Sequence, residues 1–98
     1  MEYEEALAWL KANKNKCCFA SNAFDRKADV VAFVEKLYAA GAEHVSVDNI
    51  MDEDAGEYAD ALLIKHPNPK DEGFVKLVES AHPDEITKSY GRVLLWWD

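Results

Sequence analysis

Two tryptophans stand side by side in RVLLWWD, residues 92–98, and their adjacency restricts the fold more than any other feature of the chain. So short a run of valine, leucine and tryptophan reads as a strand. Successive strand residues point to opposite faces, so Trp96 and Trp97 cannot share one. Trp97 falls in line with Val93 and Leu95, and Trp96 with Leu94, bracketed by Arg92 and Asp98. The chain must therefore build a sheet with one deeply covered face and a second that is too apolar to lie bare in water.

Periodicity supplies the remaining elements. Tyr3, Ala6, Leu7 and Leu10 recur at helical spacing over residues 3–13, with acidic residues leading and Lys11 and Lys14 trailing, as the helix dipole favours. KCCFASNAF reads as a strand over about 17–22. Asp25 offers an N-cap for a helix over 26–40, whose stripe is Val30, Phe33, Val34 and Leu37 and whose stop is Gly41. Residues 44–50 alternate as a half-buried strand, and ADALLIKH, ended by Pro67, pairs with it across the polar tip MDEDAGEY. Asn68 as cap and Pro69 at the first helical position open a helix carrying Phe74, Leu77, Val78 and Ala81. Residues 83–91 read as a polar connection to the last strand.

The order is a helix followed by β-α-β-β-α-β, the split βαβ arrangement of ferredoxin-like folds. The expectation is an α+β sandwich with an extra N-terminal helix, in which an antiparallel four-stranded sheet has the order 4-1-3-2 and the second and third helices share one face. Cys17, Phe19, Val45, Val47, Leu62, Ile64, Val93, Leu95 and Trp97 would fill the core. Cys18, Ala20, Ser46, Ala61, Leu63, Leu94 and Trp96 would take the other face, covered either by the first helix, through Leu7 and Leu10, or by a partner chain.

The 98 residues suffice for one domain, residues 1–98, and 49% apolar content lets it fold without metal or disulfides. Nineteen acidic against eleven basic residues give a net charge of −8, which disfavours nucleic acid and anionic membranes and favours a basic protein surface. The acidic opening MEYEEALAWLK does not read as a targeting segment, and no apolar run is long enough to cross a membrane, so a cytoplasmic setting is expected. Adjacent Cys17 and Cys18 cannot staple distant segments and read as two reduced thiols.

The clearest local signal is anionic. Between Lys36 and Lys65 there is no lysine or arginine, while Asp52, Glu53, Asp54 and Glu57 crowd the hairpin tip. As a calcium loop the stretch fails, because Gly56 falls at the fifth position and Leu63 at the twelfth, where oxygen ligands are needed. It reads as a solvated tip or a docking surface for a basic partner. His44, His66 and His82 are scattered surface or element-end residues without ligand spacing, and no serine has an elbow motif or a placed base. No metal, cofactor or catalytic residue is therefore expected.

VEKLYAAGAEHVSVDNI and YADALLI, together with the LLWWD ending, resemble a group of small uncharacterised bacterial proteins with similar aromatic tails. The resemblance spans roughly residues 30–98, rests on packing motifs and implies a bacterial, single-domain origin with no activity attached. The expected function is that of a non-catalytic acidic binding module, immunity- or inhibitor-like or regulatory, docking a protein through Asp52, Glu53, Asp54 and Glu57 or through Leu94 and Trp96. The alternatives are a small-molecule sensor, homodimeric, with its ligand near Asn22, Asp25 and Arg26, and a protein with no ligand at all. Fold class alone cannot choose among them.

Overall fold

The computed structural model describes residues 4–21 and 23–97. In chain order the elements are β1 (Glu4–Glu5), α1 (Ala6–Ala12), α2 (Lys27–Ala39), β2 (His44–Asp48), β3 (Met51–Glu53), β4 (Gly56–Tyr58), β5 (Ala61–Lys65), α3 (Glu72–Ser80), β6 (Glu85–Ser89) and β7 (Arg92–Trp96). The fold is α+β, an antiparallel five-stranded sheet in the order β1-β2-β5-β7-β6 with a separate two-stranded ribbon, β3-β4.

The alternating strands pair as their patterns require. Val45 and Val47 oppose Ile64 and Leu62, which in turn oppose Val93 and Leu95, so three strands give one continuous apolar face. Helices α2 and α3 supply Val30, Phe33, Val34, Leu37, Phe74 and Val78 to the same core. At the end of α2 the N–H of Ala42 bonds to the carbonyl of Leu37 and that of Gly41 to the carbonyl of Tyr38, with Gly41 at φ 103°. This double closure needs a left-handed residue, which the glycine supplies.

Three features correct the expected four-stranded ferredoxin-like order. First, of the expected strand over about 17–22, the described residues 17–21 form no strand in the sheet: Phe19 makes a single parallel bridge to Ala59, and Ala20 turns the chain away at φ 39°. The burial there is consecutive rather than alternating, with Cys18, Phe19 and Ala20 buried and Cys17 exposed. Second, the slot beside β5 goes to β7, which matches it over five residue pairs. Third, residues 85–89 of the polar connection pair with β7 through a two-residue turn, Tyr90-Gly91, whose φ values of 44° and 78° suit the twist of a tight hairpin. A local hairpin closes a short loop, so it forms at lower entropic cost than a long crossover.

Smaller corrections concern helix ends. Helix α1 begins at Ala6 because Glu4 and Glu5 are drawn into antiparallel pairing with Val47 and Ser46. Arg26, not Asp25, is the N-cap of α2, without a side-chain bond. Asp71 rather than Asn68 caps α3, its carboxylate accepting the Phe74 N–H at 3.0 Å. His66 is buried, 4% exposed, and its two ring nitrogens bridge the Ala40 carbonyl and the Asn68 N–H while the ring stacks on Phe74.

Helix α1 lies against α2 and β2, and its Ala6, Trp9 and Leu10 enter the main core with Leu7 packed beside them. It therefore does not cover Leu94 and Trp96. Those residues, with Leu63, stand half-buried on the opposite side of the sheet, outside the core cluster. Among the described residues, no helix is long and apolar enough to cross a membrane.

Candidate functional site

The acidic tip is a folded ribbon. β3 and β4 pair in register from Met51↔Tyr58 to Glu53↔Gly56, and α1 holds the ribbon by its β4 strand. Trp9, 4% exposed, donates its indole N–H to Glu57 Oε1 at 2.9 Å. The Asn13 side-chain amide donates to the Glu57 carbonyl at 2.9 Å, and Asn13 Oδ1 accepts the Asn15 N–H. Asn15 Oδ1 then accepts the Cys17 N–H. Lys27 ties the segment to α2 by donating to the Asn13 carbonyl. Gly56 sits at φ 131°, and a Cβ there would come within 3.1 Å of Asn13 Oδ1, so the ribbon can approach the asparagines this closely only with glycine.

Between α1 and the ribbon runs an open groove of about 670 Å³, lined on the helix side by Ala8, Trp9 and Ala12 and on the ribbon side by Glu53, Asp54 and Glu57. Glu4 and Glu5 bring its carboxylates to five, against one ammonium, Lys14. Asp52, Glu53 and Asp54 are exposed. None of the three is paired with a basic side chain among the described residues. Such a surface repels anions and attracts cationic groups.

Glu5 anchors the groove's other end. Its Oε1 caps α1 through the Ala8 N–H at 2.8 Å, and its Oε2 accepts the Tyr38 hydroxyl at 2.6 Å, which itself accepts the Val45 N–H. Burial pushes the Glu5 carboxyl up, but the bonds from Tyr38 and the α1 backbone outweigh it and leave it below its ordinary value. The Tyr38 phenol is raised, by burial first and then by its bond to Glu5. Burial also raises the Cys18 thiol, which stays protonated near neutrality.

The remaining sequence-predicted residues lie elsewhere. Leu94 and Trp96 are on the open side of the sheet, and Trp96 Nε1 reaches Asp60 Oδ2 at 3.3 Å. Asp25 and Arg26 are exposed ahead of α2, with Arg26 3.7 Å from Asp29 of the same helix, while Asn22 falls outside the described residues. Among the described residues, no three histidine, cysteine or carboxylate groups come together to hold a metal. The sequence reading missed Trp9, Asn13 and Asn15, whose only signal was the alternation of asparagines in ANKNK.

No family model matches the chain, and no curated protein or solved structure matches it either.

Proposed function

We propose that the protein is a non-catalytic binding module that receives a basic segment of another protein in the groove between α1 and the β3-β4 ribbon. The observation that carries this reading is the groove's lining, five carboxylates against a single lysine, three of the carboxylates on a ribbon that Trp9 and Asn13 tie to α1. A preformed acidic groove costs little ordering on binding, and its field steers cationic partners toward it. An immunity- or inhibitor-like protein that neutralises a basic enzyme is one concrete form. A cytoplasmic setting, in which Cys17 and Cys18 remain free thiols, suits it.

The test is titration of a fluorescent lysine- and arginine-rich decapeptide, followed by anisotropy at low and moderate salt. Binding is expected to weaken with salt and to fall roughly tenfold in Glu4→Gln/Glu53→Gln/Asp54→Asn, with the melting temperature unchanged, whereas Asp52, which lies outside the groove lining, should matter less. Equal binding by the neutralised variant, or none by the wild type, would overturn the reading.

A further inference from the structure

The open side of the sheet carries an ordered pattern of charge. The pairing registers arrange its side chains in three rows across the strands. His44, Lys65, Arg92 and Ser89 form one row; Ser46, Leu63, Leu94 and Thr87 form the middle one; Asp48, Ala61, Trp96 and Glu85 form the third. One end of the face is thus cationic and the other anionic, with Asp60 adding a carboxylate beside Trp96. At its centre Leu63 and Leu94 are half-buried between a buried Ser46 and an exposed Thr87, and the two leucines lie outside the core cluster to which all three helices contribute.

We propose that this face is the dimerisation surface for a second copy of the chain, stacked sheet on sheet about a two-fold axis running along the middle row. Such an axis reverses the strand direction of the second copy while laying each strand over its own counterpart. Leu63 and Leu94 then meet their own copies. The cationic row of each subunit lies over the anionic row of the other, so that His44 faces Asp48, Ser89 faces Glu85 and Arg92 stands over the indole of Trp96. A guanidinium over an indole face is attractive, and most so where water is partly excluded. A basic or an acidic partner would be attracted at one end of the face and repelled at the other. A reversed copy is matched at both.

Stacked sheets sit about 10 Å apart with strands crossing near 30°, which leaves the row-on-row match intact. At about 3.4 Å per residue and 4.8 Å per strand the face measures roughly 300 Å² in projection. Stable complexes bury about 800 Å² of accessible surface on each partner, so a weak, reversible dimer is the expected outcome. The surface is independent of the acidic groove, and neither reading requires the other.

Sedimentation equilibrium from about 10 µM to 1 mM tests it, the concentration range in which a weak complex associates. The wild type should rise toward twice the monomer mass. Lys65→Glu should shift the equilibrium toward monomer, and adding Asp48→Lys should reverse that shift, because Lys65 of each copy lies beside Asp48 of the other and this pair is then exchanged while Arg92 and Trp96 stay as they are. Leu94→Lys, which sets two like charges against each other on the axis, should abolish the dimer, and circular dichroism would confirm that each variant is folded. A wild type that stays monomeric at 1 mM, a Lys65→Glu variant that dimerises normally, or a Lys65→Glu/Asp48→Lys variant that fails to recover would each overturn the proposal.

Discussion

Arg92, Leu94 and Trp96 leave β7 on one side, and Val93, Leu95 and, just past the strand, Trp97 leave it on the other, so one short stretch serves two very different faces. On the core side Trp97 is 2% exposed, its indole donates to the Ala81 carbonyl at 2.9 Å, and its ring meets Phe19, Phe24 and Phe33 edge-on. On the open side Trp96 is half-buried, and its indole makes a long bond to Asp60. The same side chain in adjacent positions thus completes a core in one case and borders solvent in the other. What differs is the layer above: two helices and a ring of phenylalanines over Trp97, and, among the described residues, no helix in the core cluster reaching Trp96. Hydrophobicity makes a residue fit for burial, but the packing of other elements decides whether it is buried.

The largest expected effect breaks this contrast directly. Trp97→Ala removes the centre of the aromatic cluster and should cost about 3–5 kcal/mol. For a domain of this size that corresponds to a drop of at least roughly 12 °C in melting temperature. Trp96→Ala removes a side chain already partly hydrated and should cost about 1 kcal/mol. Thermal denaturation of the two variants at low concentration, where subunits are apart, measures the difference. Similar losses would mean that the two faces are not as unequal as their burial indicates.

Two histidines sharpen the same contrast with a polar side chain. His66 follows β5 on the core side and joins the end of α2 to the turn before α3 through its two ring nitrogens, so His66→Ala leaves the Ala40 carbonyl and Asn68 N–H without their partner. The expected cost is about 2–3 kcal/mol, from the lost bonds together with the cavity. His44 lies on the open side, exposed, with its ring nitrogen 3.0 Å from Ser46 Oγ, and His44→Ala should change stability by less than about 0.5 kcal/mol. Urea denaturation midpoints read both.

The parts of this fold that were legible in the sequence are those where periodicity and burial agree. Val45 and Val47, the LLIK segment and RVLLWW alternate because one side is buried, and α2 shows its stripe because it lies on that side. The division of Trp96 from Trp97 followed from strand geometry alone. Residues 85–89 were illegible for the opposite reason. β6 is an exposed edge strand, Ile86 remains 41% exposed although it sits opposite Leu95 on the core side, and without burial no apolar alternation is imposed. The turn at Tyr90-Gly91 was the available signal. The KCCFAS stretch reads as a strand from its apolar content, whereas Cys18, Phe19 and Ala20 are buried consecutively in a turning segment. Of the candidate site, the carboxylates could be read from charge, but the groove depends on Trp9 meeting Glu57 across 48 positions. No local pattern encodes such a contact.

The smallest expected effect lies at the edge where the two faces meet. Tyr38 leaves the core-side helix α2 and reaches Glu5 of β1, which pairs with Ser46 of the open side. Because the folded protein holds the Glu5 carboxyl below its ordinary value, the unfolded chain binds that proton more tightly. The stabilisation is therefore complete above the ordinary carboxylate value of about 4.3 and is lost as pH falls through the lower, folded value. For the raised phenol of Tyr38 the sign reverses: its contribution is complete below about 10 and is lost as pH rises through the folded value. The urea midpoint of Glu5→Gln should thus lie below that of the wild type at neutral pH, and the gap should close as pH is lowered into the acid range. In Tyr38→Phe the acid dependence should flatten, since the bond that most lowers the carboxyl is gone. A Glu5→Gln gap that persists undiminished at acid pH would mean that Glu5 joins the two faces by shape rather than by charge.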